Sequence, residues 1–132
     1  MPKGIYNVPQ PANEPVLSYA PGTTERKNLK EALSSARAQE IDIPMYIGGD
    51  LIRTEDKRPM SPPHDHKHLL GHYNYGDASH VEQAIASALN AREQWASLSW
   101  EQRASIFLKA ADLLAGPYRA RINASTMLAQ SK

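Results

Sequence analysis

The densest group of chemistry-bearing side chains is His64-Asp65-His66-Lys67-His68, with His72 and His80 close behind. Alternating histidines in an extended stretch project onto one face, and three imidazoles could bind zinc or nickel. The segment follows Pro62-Pro63, Lys67 adds positive charge, and no further ligand stands at a recognisable spacing. Solvated loop histidines are therefore the plain reading, and metal binding would require His64, His66 and His68 to converge. Asp77 and Glu82 could form a carboxylate pair for proton transfer. Both stand at an expected helix start, where the macrodipole alone favours acidic residues. Gly48-Gly49 could approach a phosphate, but no helix N-terminus follows it, so a hairpin turn is expected. Trp95 and Trp100 bracket a helix link and read as packing anchors rather than a stacking platform. Arg92, Arg103, Arg119 and Arg121 keep no fixed spacing and read as solvated ion-pair formers.

The sequence holds no cysteine, which excludes disulfides, thiolate metal sites and a cysteine nucleophile within these residues. It contains no dinucleotide glycine fingerprint, P-loop, nucleophile elbow or His-Glu-x-x-His motif. No residue of this chain is thus assigned a catalytic, cofactor-binding or metal-binding role. Its 15 basic and 14 acidic residues nearly balance, leaving no electrostatic footprint for nucleic acid. There is no apolar run long enough to span a membrane. The start, Met1-Pro2-Lys3-Gly4-Ile5-Tyr6, has no hydrophobic leader and no Arg-rich import peptide. The expected compartment is the cytosol, or the mitochondrial matrix if the source is eukaryotic.

The elements that would position these groups give an α/β reading. Nine of the ten prolines fall within residues 1–63, five of them in the first 21. Proline fixes φ and lacks an N–H, so residues 1–23 read as an extended arm. Its Ile5, Tyr6, Val8, Val16, Leu17 and Tyr19 suit an arm laid over the surface of something larger. A short helix is expected from Thr24 to about Gln39, capped by Thr24, with Leu29, Leu33 and Ala36 on one face. Pro44 to Arg53 reads as strand, Gly-Gly turn and strand. His68 to Tyr73 reads as a further strand, and Tyr73 to Asp77 as the loop after it.

A second helix is expected from about Ala78 to Ala96, opened by a Ser79/Glu82 capping box. Val81, Ile85, Ala88, Leu89 and Trp95 form its apolar stripe. A third opens at Ser99 with Gln102 completing a box, and carries Trp100, Ala104, Phe107, Ala110, Ala111 and Leu114 on one face. The short link between them predicts an αα-hairpin. Gly116-Pro117 interrupts the pattern, with Pro117 able to start a new helix that runs to Lys132 without a stop signal. A helix cut there leaves its last carbonyls uncapped, so truncation is the expectation.

Several ordered stretches carry a family resemblance. They are Ile43 to Gly49, Gly76 to Ile85, Ala91-Arg92-Glu93-Gln94-Trp95, and Arg103 to Leu114. Together they resemble the N-terminal region of aldehyde dehydrogenases. Asn13-Glu14-Pro15-Val16, Tyr19 to Gly22, Ser61 to His66, Leu114 to Ala120 and Thr126 to Lys132 are similar to the glutamate γ-semialdehyde (1-pyrroline-5-carboxylate) branch, although Ala129 stands where that branch usually has Gly.

The resemblance implies a parent enzyme that oxidises glutamate γ-semialdehyde to glutamate with NAD, the second step of proline breakdown. A cysteine thiolate, an activating glutamate, an oxyanion-holding asparagine and the nucleotide-binding segments would all lie beyond residue 132. It further implies that residues 24–132 are the N-terminal part of an incomplete NAD-binding domain. The remainder of the subunit is then their partner, the parent is a homo-oligomer, and neither nucleic acid nor membrane is involved. NAD would belong to the parent, with no cofactor on this chain alone. The alternative is a stand-alone helical interaction or scaffold module. The fragment reading predicts helices with exposed apolar faces; the module reading predicts a polar, capped end.

Overall fold

The computed structural model describes residues 10–132. Four helices and five short strands follow one another: α1 (Thr24–Arg37), β1 (Ile41–Ile43), β2 (Met45–Ile47), β3 (Asp50–Ile52), β4 (Lys57–Met60), β5 (Gly71–Asn74), α2 (Ala78–Ser97), α3 (Trp100–Ala115) and α4 (Arg119–Gln130). This is the mixed α/β arrangement expected of part of an NAD-binding domain. The helix–hairpin–strand–helix order read from the sequence is present.

α1 and α4 form the main helix contact. Ala124, fully buried, and Leu128 of α4 lie beneath the half-buried Leu29, Ala32, Leu33 and Ala36 of α1. A small residue at the centre of such a crossing lets the two backbones approach. Thr24 does not cap α1. The N-cap is Thr23, whose hydroxyl donates to the Ala20 carbonyl at 2.9 Å instead of accepting from the helix. The preceding Pro21-Gly22 turn, closed by Thr23 N donating to Ala20 O, draws that side chain backwards. The helix ends at Arg37, short of Gln39, where Ala38 N donates to Ser34 O.

β2 and β3 pair antiparallel in the register Met45↔Ile52, Tyr46↔Leu51 and Ile47↔Asp50. Gly48 and Gly49 both adopt positive φ (65° and 95°), as a two-residue hairpin turn demands. Gly48 has a second reason to be glycine: a Cβ there would collide with the Ser87 hydroxyl of α2.

The other sheet has the order β1-β5-β4, with β5 parallel to β1 and antiparallel to β4. Strand β5 begins at Gly71, so the strand expected from His68 starts three residues late. Residues 68–70 instead leave a turn in which His68 N donates to Asp65 O. The strand keeps Tyr73, its expected end, and extends through Asn74, expected in the loop. The flanking strands β1 and β4, at three and four residues, are too short to show an alternation. Pro59 is tolerated in β4 because this is an edge strand.

α2 starts at Ala78 as expected, but its capping box is Asp77 with His80, not Ser79 with Glu82. Asp77 is the residue with extended backbone (φ −112°, ψ −173°), and only a residue outside the helix can turn its side chain onto the first N–H groups. The Ser99/Gln102 box on α3 is present, with Ser99 N donating to Gln102 Oε1 at 3.0 Å. The αα-hairpin, by contrast, is open. Leu98 and Ser99 are both extended, α2 makes its contact with β2, and α3 makes its contact with α4. Pro117 lies in the turn before α4, whose N-cap is Tyr118. α4 stops at Gln130, not Lys132, because Ser131 turns left-handed (φ 55°) and returns its N–H to Met127 O.

Of the expected arm, Ile5, Tyr6 and Val8 lie outside the described residues. Within residues 10–23, Glu14, Pro15 and Tyr19 touch this chain's own α4, while Val16 is 99% exposed. Arg119 Nη1 donates to Pro15 O at 3.1 Å, and Asn123 Nδ2 donates to the Tyr19 hydroxyl at 3.1 Å. Arg119 also faces Glu14 at 3.6 Å.

Among the described residues, the buried hydrophobic side chains besides prolines are Ile47, Ala124 and Leu128. That is a small core for a chain of 132 residues. The stripes of α2 and α3 account for much of the deficit. Val81, Ile85 and Leu89 are more than half exposed, and Phe107 is 67% exposed. Neighbouring apolar side chains left open on this scale mark a contact surface.

Candidate functional site

Among the described residues, an open apolar groove runs between the β2–β3 hairpin and the first half of α2. Met45, Tyr46 and Ile47 form one wall, while Val81, Ala84, Ile85 and Ala88 form the other. Helical spacing puts those four α2 residues on one face. The β-strand alternation turns Ile47 inward, where it is buried, and Tyr46 outward, where it is 75% exposed. At the polar end of the groove stand Asp77 and His80.

Their geometry is that of a helix cap rather than an acid–base pair. Asp77 Oδ1 accepts from Ser79 N at 3.0 Å, His80 N at 3.2 Å and the Ser79 hydroxyl at 2.6 Å. His80 Nδ1 lies 2.7 Å from the same oxygen and accepts from Asp77 N at 3.2 Å. The Ser79 hydroxyl bond, reinforced by His80, holds the Asp77 carboxyl down to about 2. It is therefore fully ionised near neutrality, when it stabilises the helix start and has no proton to give. Glu82 is exposed and is no part of this cap.

A second polar centre, not read from the sequence, ties β5 to β1 and to the segment that follows β3. Asn74 is 5% exposed and uses both ends of its amide. Its Nδ2 donates to Asp42 Oδ1 at 2.8 Å and to Ile43 O at 2.9 Å, while its Oδ1 accepts from Thr54 N at 2.7 Å. Asp42 in turn accepts from Lys57 Nζ at 3.0 Å and Arg53 Nε at 3.2 Å. The Lys57 bond, with further help from Asn74 and Arg53, lowers the Asp42 carboxyl below its ordinary value against an opposing desolvation. The Thr54 hydroxyl adds a bond to Tyr75 O at 3.0 Å. An isolated Asn at the end of a four-residue strand has no distinguishing sequence signal.

The histidines do not gather. The segment is turned rather than extended, which removes the alternation that would align them. His64 Nδ1 lies 2.6 Å from the Ser131 hydroxyl. Asp65 pairs with Arg37 at 2.5 Å, which lowers the Asp65 carboxyl and ties the loop to α1. Among the described residues there is no group of three His, Cys, Asp or Glu side chains placed to hold a metal.

The arginines likewise stay apart. Arg119 holds the arm, while among the described residues Arg92, Arg103 and Arg121 join no common cluster. Arg58 instead grips Asp56 through Nε at 3.0 Å and lies over the Tyr75 ring, 4.2 Å from its centroid. Trp95 and Trp100 are 42% and 50% exposed, so neither is a buried anchor within this chain. No helix among the described residues is long and apolar enough to cross a membrane.

What these residues form is an exposed apolar surface, braced by a cap and an amide pin. Comparison with known proteins places the chain in a family. Residues 52–132 match the family model described as the aldehyde dehydrogenase family. The chain is 42% identical over 128 residues to delta-1-pyrroline-5-carboxylate dehydrogenase of Agaricus bisporus, spanning 96% of this chain and 23% of that protein. It is 41% identical over 121 residues to the mitochondrial human enzyme of the same name, covering 92% of this chain and 22% of the relative. Among solved structures it superimposes with a TM-score of 0.91 and 41% identity on the delta-pyrroline-5-carboxylate dehydrogenase of Mycobacterium tuberculosis bound with NAD and cobalamin. That match covers 96% of this chain and 24% of the other. The chain thus spans under a quarter of the length of these relatives.

Proposed function

Because the chain belongs to the aldehyde dehydrogenase family, we propose that it is the N-terminal structural segment of an NAD-dependent enzyme that oxidises L-glutamate γ-semialdehyde to L-glutamate. The semialdehyde is the open form of 1-pyrroline-5-carboxylate, and the reaction belongs to proline breakdown. The names of the relatives support this substrate, and the NAD in the mycobacterial structure supports the cofactor.

The observation that carries the reading is the set of uncovered apolar faces on α2 and α3 above a core of few buried side chains. Such faces are stable in water only when something packs on them. In the proposed assembly the remainder of the subunit does so, and the whole enzyme is a homo-oligomer. The role of these residues is to support and orient. The Asn74 pin ties β5 to β1 and to the segment leaving the hairpin, Gly48 seats the hairpin on α2, and α1 with α4 holds the arm. Aldehyde oxidation in this family requires a thiolate nucleophile, and this sequence contains no cysteine. Alone it neither binds NAD nor oxidises the aldehyde.

Calorimetric titration with NAD and a spectrophotometric assay of NADH formation from pyrroline-5-carboxylate test this. No heat of binding and no turnover are expected from the chain alone. Saturable NAD binding or turnover by the chain itself would overturn the proposal. The positive arm is co-expression with the rest of a relative such as the mycobacterial enzyme, which is expected to yield a soluble complex. Failure of the two to associate would count equally against it.

A further inference from the structure

We draw no further inference here: the strongest candidate, the apolar groove between the β2–β3 hairpin and the first half of α2, has nothing in the structure to show what covers it beyond the subunit packing already proposed.

Discussion

Replacing Asn74 by Ala tests whether one buried amide ties β5 to β1 and to the segment that follows β3. The substitution removes a bond to an ionised carboxylate, a bond to the Ile43 carbonyl, and the acceptor for the Thr54 N–H. Typical values are about 1.5–3 kcal/mol for the charged bond, about 1 kcal/mol for the neutral one, and about 1–3 kcal/mol for a stranded donor. These do not add fully, because Asp42 keeps Lys57 and Arg53 and water can reach Thr54, which is only half-buried. The expected loss is about 3 kcal/mol in urea denaturation. It is accompanied by faster hydrogen exchange at the Thr54 amide.

Asn74→Asp sharpens the test, since it keeps the shape and the acceptor for Thr54. The new carboxylate, however, would face Asp42 and the Ile43 carbonyl, so its folded pKa must rise above the ordinary Asp value of about 3.9. A group with a raised pKa contributes fully below its unfolded value and loses that contribution as pH rises through the folded one. Asn74→Asp is therefore expected to be less stable than Asn74→Ala at neutral pH and to close the gap in mild acid. A loss below about 1 kcal/mol for Asn74→Ala, or an Asp variant that gains on the Ala variant as pH rises, would refute the pin.

Other substitutions separate the remaining claims. Phe107→Ala should change the stability of this chain alone by no more than about 0.5 kcal/mol, because the ring is mostly exposed. In a full-length enzyme the same change should cost about 3–5 kcal/mol if the face is covered. Equal effects in both, by denaturant titration, would show that nothing packs there. Gly71→Ala should abolish the parallel β1–β5 pairing, since a Cβ would collide with the Ile41 backbone and φ there is 138°. Retained exchange protection at the Ile41 amide, which donates to Leu70 O, would contradict this. Asp77 has a lowered pKa, so its contribution to the α2 start is complete above about pH 4 and is lost as pH falls through about 2. Amide exchange at Ser79 and His80 should rise over that range in the native chain, whereas Asp77→Ala should show fast exchange there already at neutral pH.

The helices were legible because their signals are local. Apolar residues three and four apart marked α2 and α3, and Ser99 with Gln102 marked the start of the latter. The cap of α2 was misplaced by two residues because Asp77, Ser79 and Glu82 all have side chains suited to a helix start. Which of them caps depends on where the backbone turns helical, and that is set by β5 ending at Asn74. β1 and β4 have no sequence signature, because three or four residues carry too little pattern to stand out from a loop. The expected pairing of α2 with α3 failed for a related reason. A short link limits how far apart two helices start, but their direction follows from the extended backbone at Leu98 and Ser99.

Composition and spacing alone determined that these residues carry no thiol, that α2 and α3 have oily stripes, and that a glycine pair closes a hairpin. Each depends only on residue identity or on neighbours two to four places along the chain. Tertiary structure decided that β1 lies beside β5, that the arm rests on α4, and that Asn74 is a buried pin. Those contacts join residues 20 to 104 positions apart, where the outcome depends on how the whole chain closes rather than on any stretch of it.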